Sequence, residues 1–382
     1  MEQHSSDKNI LFLPFLQIPS GHHQVANALM EAIQKNQPHI KCDKVDILSY
    51  SYGKIEALVS NTYLKWIQAF PGLYNWIYQS SVYKNVEKNK RYRLYELLFI
   101  TFMKRLLREK QPDLIICTHA LPSYMLNYLK ERNELPTPVI NVYTDYFIHR
   151  FWGIKHIDFH FVPSHHMKEF LKNKGVKDER IFVTGIPIHK KIKKQEVQAV
   201  NVSSPPSLSV LITGGNLGVG AIEELIQKIG LEKKIQFYVL CGKNNKLFQK
   251  LQALQKDHIT PLSYINCRSK MNELYDQIDA IITKPGGVTI SESLFKRKPI
   301  FVYDALPGQE EINLQQLKQL GVIIHLNKWK EAKNTIEEQL YTFFQNKKRV
   351  QQYQDCITEY HHHLIAKDPS QIIEELMARD LK

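Results

Sequence analysis

The stretch from Asp279 to Glu292 leaves the surrounding chain few folds to choose from. Asp279-Ala-Ile-Ile-Thr283 is a short apolar run that reads as a buried strand. It halts at Pro285-Gly286-Gly287, where two glycines permit positive φ and a close approach of backbone to a ligand. A helix is expected to start near Thr289 or Ser291, since either residue suits an N-cap. The free N–H groups and dipole of such a helix start attract phosphate. Glu292, expected in the first turn, is then an anion beside an anion site, and ribose hydroxyls are the partner that reconciles the two. Strand, glycine turn, helix and carboxylate together point to a nucleotide diphosphate.

The same strand–turn–helix alternation runs along most of the chain. With 382 residues, roughly two domains of 100–200 residues are expected. A 43% hydrophobic, 23% charged composition is that of a globular protein. There is no apolar run of the ~18 residues a membrane span needs. Met1 to Asp7 shows no basic-then-apolar leader, so no signal peptide is expected. The five cysteines (Cys42, Cys117, Cys241, Cys267, Cys356) form no Cys-x-x-Cys pair and read as reduced thiols of a cytoplasmic protein. Asn9 to Gln17 reads as the first strand, with Pro14 an awkward member because it cannot donate to a ladder. A turn at Ile18–His23, a helix over Gln24–Gln34 and a second strand at Val45–Leu48 complete the opening of a Rossmann-like half. After residue 110 the rhythm resumes, with strands at Asp113–Cys117, Pro138–Thr144, Phe159–Val162 and Arg180–Thr184. A lysine- and proline-bearing linker is expected over 191–207, dividing an N-terminal domain (1–190) from a C-terminal one (208–355). The second domain repeats the pattern from Ser209–Thr213 through Ile235–Leu240 to Pro299–Tyr303, and a terminal helix over 356–382 is expected to pack back on the first domain.

Residues 51–110 interrupt the alternation. Their helical spacing carries Tyr63, Trp66, Phe70, Tyr74, Trp76, Tyr78 and Tyr83, then Lys84, Lys88, Lys90, Arg91 and Arg93, and later Lys104, Arg105 and Arg108. Rings at headgroup level and cations against anionic lipid suit a membrane surface. An ordinary helical insertion with an aromatic core face and a solvated basic face fits the same pattern. The net charge of +13 favours an anionic partner, whether nucleic acid, anionic membrane or phosphorylated substrate.

Polar residues gather where strands end. In the second half Gly214, Gly215, Gly218, Gly242, Gly286 and Gly287 follow strands, with Glu292, Gln309 and Glu310 near them. No Gly-x-x-x-x-Gly-Lys-Ser/Thr loop occurs, which argues against an ATPase, and the first strand lacks the Gly-x-Gly-x-x-Gly of a dehydrogenase. In the first half His22, His119, Asp145 and His149 lie after strands. An imidazole near neutrality can deprotonate a hydroxyl, and a carboxylate can orient or replace it. His23, His165-His166 and His361-His362-His363 lack carboxylates or thiols at metal-site spacing, so no metal is assigned.

Thr283-Lys-Pro-Gly-Gly-Val-Thr-Ile-Ser-Glu292 and Val302-Tyr-Asp-Ala-Leu-Pro-Gly-Gln-Glu-Glu-Ile-Asn313 resemble the donor signatures of bacterial diacylglycerol β-glucosyltransferases and plant monogalactosyldiacylglycerol synthases, relatives of the enzyme that makes lipid II. Cys241-Gly-Lys-Asn244, Asn141-Val-Tyr-Thr-Asp145 with His149, and Thr184-Gly-Ile-Pro-Ile188 resemble family motifs in the same order, and the likeness runs from about Asn9 to Leu326. The resemblance implies a GT-B fold, α/β with two doubly wound Rossmann-like domains facing a central cleft. It also implies a UDP-sugar donor, a diacylglycerol or related lipid acceptor, and inverting transfer without bound metal or cofactor. Carried onto this chain, His22 with Asp145 and His149 would be catalytic, and Glu292 would bind the ribose. The turn Gly286-Gly287-Val288-Thr289 would hold the diphosphate, and Lys284, Pro285, Gly21, Gly214, Gly215, Gly242, Lys243 and Asn244 would also bind the donor. Tyr264 and Ile265 would lie near uracil, and Gln309 and Glu310 would contact the sugar. Trp66, Phe70, Tyr74, Trp76, Lys88, Lys90, Arg91 and Arg93 fall where the family meets acceptor and membrane, so an anionic inner membrane face is the expected partner and nucleic acid is not. One departure is visible: Pro19-Ser20-Gly21 stands where the family has two glycines before the histidine. A UDP-N-acetylglucosamine transferase acting on a polyprenyl-linked acceptor and a non-catalytic UDP-sugar sensor are the alternatives.

Overall fold

The computed structural model describes residues 8–15, 21–52, 91–196, 207–215, 221–230, 234–331 and 333–378. The chain divides into two compact units, Met1–His189 with His363–Lys382, and Lys190–His362. Residues 197–206 of the expected linker lie outside the described residues.

The first unit opens with β1 (Asn9–Leu13), α1 (Gly21–Asn36), β2 (Lys41–Lys44), α2 (Ile47–Tyr52) and α3 (Arg93–Lys110). It continues through β3 (Leu114–Cys117), α4 (Ala120–Glu131), β4 (Val139–Val142), β5 (Phe159–Val162), α5 (His165–Asn173) and β6 (Ile181–Val183). The strands form one sheet in the order β2-β1-β3-β4-β5-β6, with every neighbouring pair parallel. Helices cover such a sheet on both faces, so its central strands need apolar side chains on both sides. β3 and β4 are accordingly buried at every position. β1 stops one residue short of Pro14, which has no N–H to give the ladder.

The second strand differs from expectation. Val45–Leu48 is not a strand; Lys41–Lys44 pairs with β1, and Ile47 and Leu48 begin α2. Asp46 explains the switch, because its Oδ1 accepts the Leu48 N–H at 2.9 Å and turns the chain into a helix. Lys41–Lys44 is a polar edge strand with exposed ends, so no apolar run marks it.

The second unit comprises β7 (Leu208–Thr213), α6 (Ile222–Gln227), β8 (Ile235–Leu240), α7 (Asn245–Ala253), β9 (Ile259–Leu262) and α8 (Arg268–Gln277). Then follow β10 (Ala280–Thr283), α9 (Gly287–Phe295), β11 (Ile300–Val302), α10 (Gln309–Gln319), β12 (Ile324–His325), α11 (Ile336–Gln345) and α12 (Lys347–His362). Its sheet order is β12-β11-β10-β7-β8-β9, again parallel throughout. Residues 356–382 are not one helix. α12 ends at His362 within the second unit, and α13 (Pro369–Ala378) belongs to the first. There Lys8 Nζ donates to the Met377 carbonyl at 2.7 Å and Asn36 Nδ2 to Glu374 Oε1 at 3.1 Å, tying α13 to β1 and α1.

Each sheet has one place where strand order reverses, between β1 and β3 in the first unit and between β7 and β10 in the second. At such a point the connections leave in opposite directions and open a crevice beyond the strands' carboxyl ends, where ligands bind in folds of this kind.

Candidate active site

In the second unit Thr213 and Thr283 are register partners, so β7 and β10 end side by side. Thr213 Oγ1 accepts the Gly215 N–H at 3.2 Å, and Gly215 takes φ +77°, a conformation an L side chain resists. Beside it, Gly286 caps α9 in an extended conformation (φ −78°, ψ 132°) and the helix runs from Gly287. The expected start at Thr289 or Ser291 is therefore two to four residues late. Neither Gly286 nor Gly287 has positive φ, so left-handed freedom is not what glycine supplies here. Among the described residues a Cβ added at Gly286 meets nothing within 4 Å, which leaves room for a ligand over this helix start. Val288 and Thr289 are half-buried in the first turn of α9, with the buried Lys284 and Pro285 leading in.

Starting the helix earlier also moves Glu292 out of the first turn and into the second, which holds no other acid. Its side chain is buried at 5% exposure. Tyr275 donates its hydroxyl to Oε2 at 2.9 Å, and Arg268 Nη1 stands 3.8 Å from Oε1. Burial raises the Glu292 pKa, while the Arg268 charge and the Tyr275 bond oppose that rise. Neither partner stood out in the sequence. Tyr275 falls on the buried face of α8 with Met271 and Leu274 and reads as core, and Arg268 reads as one more surface cation.

Lys284 and Glu310 meet as an ion pair, Nζ to Oε1 at 3.0 Å, and the Leu306 N–H donates to Oε2 at 2.7 Å. Both carboxylate oxygens of Glu310 are thus engaged inside the protein. Gly308 precedes α10 at φ +92°, and Gln309 is its half-buried first residue. Beyond β8, Gly242 turns the chain and Asn244 caps α7, its Oδ1 accepting the Leu247 N–H at 3.0 Å. Lys243 Nζ lies 5.6 Å from the centroid of the exposed Tyr264 ring, with Ile265 half-buried beside it.

In the first unit Gly21 begins α1, and Pro19 and Ser20 lie outside the described residues. His22 Nδ1 is 2.8 Å from the Thr118 carbonyl after β3 and 2.7 Å from Thr144 Oγ1 after β4. A carbonyl can only accept, so Nδ1 carries the proton and Nε2 keeps the lone pair. Burial lowers the His22 pKa, and the Asp145 carboxylate and Thr118 carbonyl work against that. His119 stacks on Phe15 and stands edge-on to His22, ring centroids 4.8 Å apart in each case. Its Nδ1 accepts the Leu121 N–H at 3.1 Å, and burial among other histidines holds its pKa well below the imidazole range. His149 accepts the Phe151 N–H at 3.3 Å on Nδ1 and is driven down to about 3 by burial, so it is neutral at physiological pH. His22, His119, Asp145 and His149 therefore form one electrostatic neighbourhood, in which His22 has the ring nitrogen of a base.

At the start of α3, Tyr95, Leu97 and Leu98 are exposed, Leu97 at 78%, and Arg93 is exposed before them. Arg91 is occupied otherwise. Its Nε lies within 3.0 Å of both oxygens of buried Glu96, its Nη2 donates to Tyr128, and Tyr124 donates to Glu96. Trp66, Phe70, Tyr74, Trp76, Lys88 and Lys90 lie outside the described residues. No described helix is long and apolar enough to cross a membrane. Among the described residues no three His, Cys, Asp or Glu side chains are arranged to hold a metal ion.

Residues 22–188 match the monogalactosyldiacylglycerol (MGDG) synthase family, and residues 209–368 match the glycosyltransferase family 28 C-terminal domain. The chain is 43% identical over 354 residues to the uncharacterized glycosyltransferase YkoN of Bacillus subtilis (strain 168), covering 92% of this chain and 93% of that one. It is 30% identical over 312 residues to a processive diacylglycerol beta-glucosyltransferase of Bacillus cereus (strain B4264), covering 80% of this chain and 79% of that one. Among solved structures MurG of Acinetobacter baumannii matches 97% of the chain and 99% of its own with a TM-score of 0.59 at 13% identity, a likeness of fold. Two Rossmann-like units of GT-B type, both matched in order by sequence, make this chain a glycosyltransferase of family 28 with an MGDG-synthase-type N-terminal half.

Proposed function

We propose that the protein transfers a hexose, glucose or galactose, from a UDP-sugar to the free hydroxyl of diacylglycerol and forms a β-glycolipid. The observation that carries the reading is on one helix. The Gly286 cap opens the α9 N-terminus to a diphosphate, and Glu292, a turn further along, offers a buried carboxylate to ribose hydroxyls. The 30% identity with the B. cereus diacylglycerol enzyme supports the acceptor class. In the proposed reaction His22 Nε2 takes the proton of the lipid hydroxyl, whose oxygen attacks the anomeric carbon as the bond to the diphosphate oxygen breaks. Asp145 favours the imidazolium that results, and the N–H groups at the start of α9 with the Gly214–Gly215 turn stabilise the departing UDP. Lys284 holds Glu310, the neighbour of Gln309, and both residues belong to the sugar end of the donor.

The lipid acceptor calls for a membrane surface. Exposed Leu97, Leu98 and Tyr95 beside Arg93, with a net charge of +13, support peripheral attachment to an anionic inner membrane face. The test is incubation with UDP-glucose, UDP-galactose or UDP-N-acetylglucosamine and diacylglycerol in mixed micelles, with products read by mass. A hexosyl-diacylglycerol is expected. A product formed from UDP-N-acetylglucosamine and a polyprenyl acceptor instead, or UDP binding with no transfer at all, would overturn the reading.

A further inference from the structure

We infer that Arg268 is a positioning residue of the donor site, which keeps the Glu292 carboxylate charged and leaves its Oε1 to accept the 2′- and 3′-hydroxyls of the donor's ribose. The inference rests on the reading of Glu292 given above. A carboxylate at 5% exposure loses most of its hydration, and an uncharged carboxyl group accepts hydroxyl protons poorly. Two groups of α8 face it. Tyr275, itself buried, donates to Oε2 at 2.9 Å and so engages that oxygen inside the protein. Arg268, about a third exposed, stands 3.8 Å from Oε1, near enough for its charge to act and too far for a hydrogen bond. Oε1 is therefore charged by a neighbour that does not use up its lone pairs. Arg268 and Tyr275 are the charged and titratable groups that act on Glu292 among the described residues. Lys296, which caps the C-terminal end of α9, is committed elsewhere, with Nζ at 2.6 Å from both Asp276 and Asn272. Burial raises the Glu292 pKa and Arg268 is the largest opposing influence, so loss of the guanidinium carries the group toward its protonated form.

The ligand chemistry that senses this is a vicinal diol, and 2′-deoxy-UDP lacks half of it. UDP and 2′-deoxy-UDP dissociation constants are measured by calorimetry at pH 6 and pH 8.5. Their ratio cancels the titration of the diphosphate itself. Wild type should prefer UDP at both pH values. Arg268→Gln should keep the preference at pH 8.5 and lose about tenfold of it at pH 6, and Arg268→Lys, which restores the charge, should follow wild type. A parallel loss of both nucleotides at both pH values would overturn the inference, because Arg268 would then act on the diphosphate or on packing. An unchanged ratio in Arg268→Gln would overturn it as well. Glu292→Gln separates the two layers. If that variant keeps the wild-type ratio, the ribose assignment itself is wrong, whatever Arg268 does.

Discussion

At His22, burial and Asp145 pull the imidazole in opposite directions, burial lowering its pKa and the carboxylate raising it. Only the neutral ring can take a proton. With His22 as the base, kcat/KM falls as the pH drops through a folded pKa that lies below the usual imidazole value. Asp145→Asn removes the charge that opposes burial, so the acid limb should move to still lower pH while turnover at neutral pH survives. His22→Ala should lose about 10²–10⁴-fold in turnover with UDP binding intact. pH profiles of the three proteins decide between the two candidates, and an Asp145→Asn enzyme inactive at every pH would transfer the base role to Asp145. His149 adds no inflection near neutrality, since burial holds it at about 3. His22 and Asp145 were legible in the sequence as polar residues after strands. The tautomer of His22 was not, because it depends on Thr118 and Thr144, which lie 96 and 122 residues along the chain. The same holds at Glu292, whose partners on α8 look like an ordinary helix core and an ordinary surface cation.

At the scale of elements, periodicity makes a strand or helix readable in the sequence, and elements without it are not. β8 and β5 fall where their apolar runs put them, whereas β2 is a polar edge strand, and the apolar pair beside it belongs to α2. The start of α9 is not marked in the sequence, because glycine caps a helix without a side chain to advertise it. α3 carries a division of labour that helical spacing alone left open. Its inner face packs Phe99, Met103 and Leu106 into the first unit's core, and its outer start offers Leu97, Leu98 and Tyr95. Arg91 serves the fold, since it neutralises buried Glu96, so a charge-neutralising series that includes Arg91 would confuse unfolding with lost membrane contact. A cleaner test is Leu97→Glu with Leu98→Glu. Each leucine is worth about 1.5–3 kcal/mol when it leaves water, so the double variant should bind anionic vesicles more than about tenfold more weakly. UDP binding should be unchanged. Equal sedimentation of the two proteins with vesicles would return this face to ordinary solvent.

At the scale of the whole molecule, the chain leaves the first unit at residue 189, builds the second, and comes back with α13. The return is fixed by apolar burial as well as by hydrogen bonds. Ile372, Ile373, Leu376 and Met377 are buried, and the Ile365 N–H donates to the Val183 carbonyl at the end of β6, at 2.8 Å. The first unit is therefore closed by residues that follow the second unit in the chain, and its stability depends on them. Ile373→Ala should cost it about 2–4 kcal/mol, seen as faster hydrogen exchange in β1, α1 and β6. On the proposed reading, the second unit is further stabilised by the donor it binds. UDP at a hundred times its dissociation constant should add about 2.7 kcal/mol, with slowed exchange at residues 213–215 and 284–292. The two perturbations address different parts of one chain, so exchange mapped by mass spectrometry reads them side by side. UDP protection that appeared in α1 and β1 while residues 284–292 stayed unchanged would remove the donor from the β7–β10 reversal. Exchange in β6 indifferent to Ile373→Ala would mean that α13 rests on the first unit without holding it together.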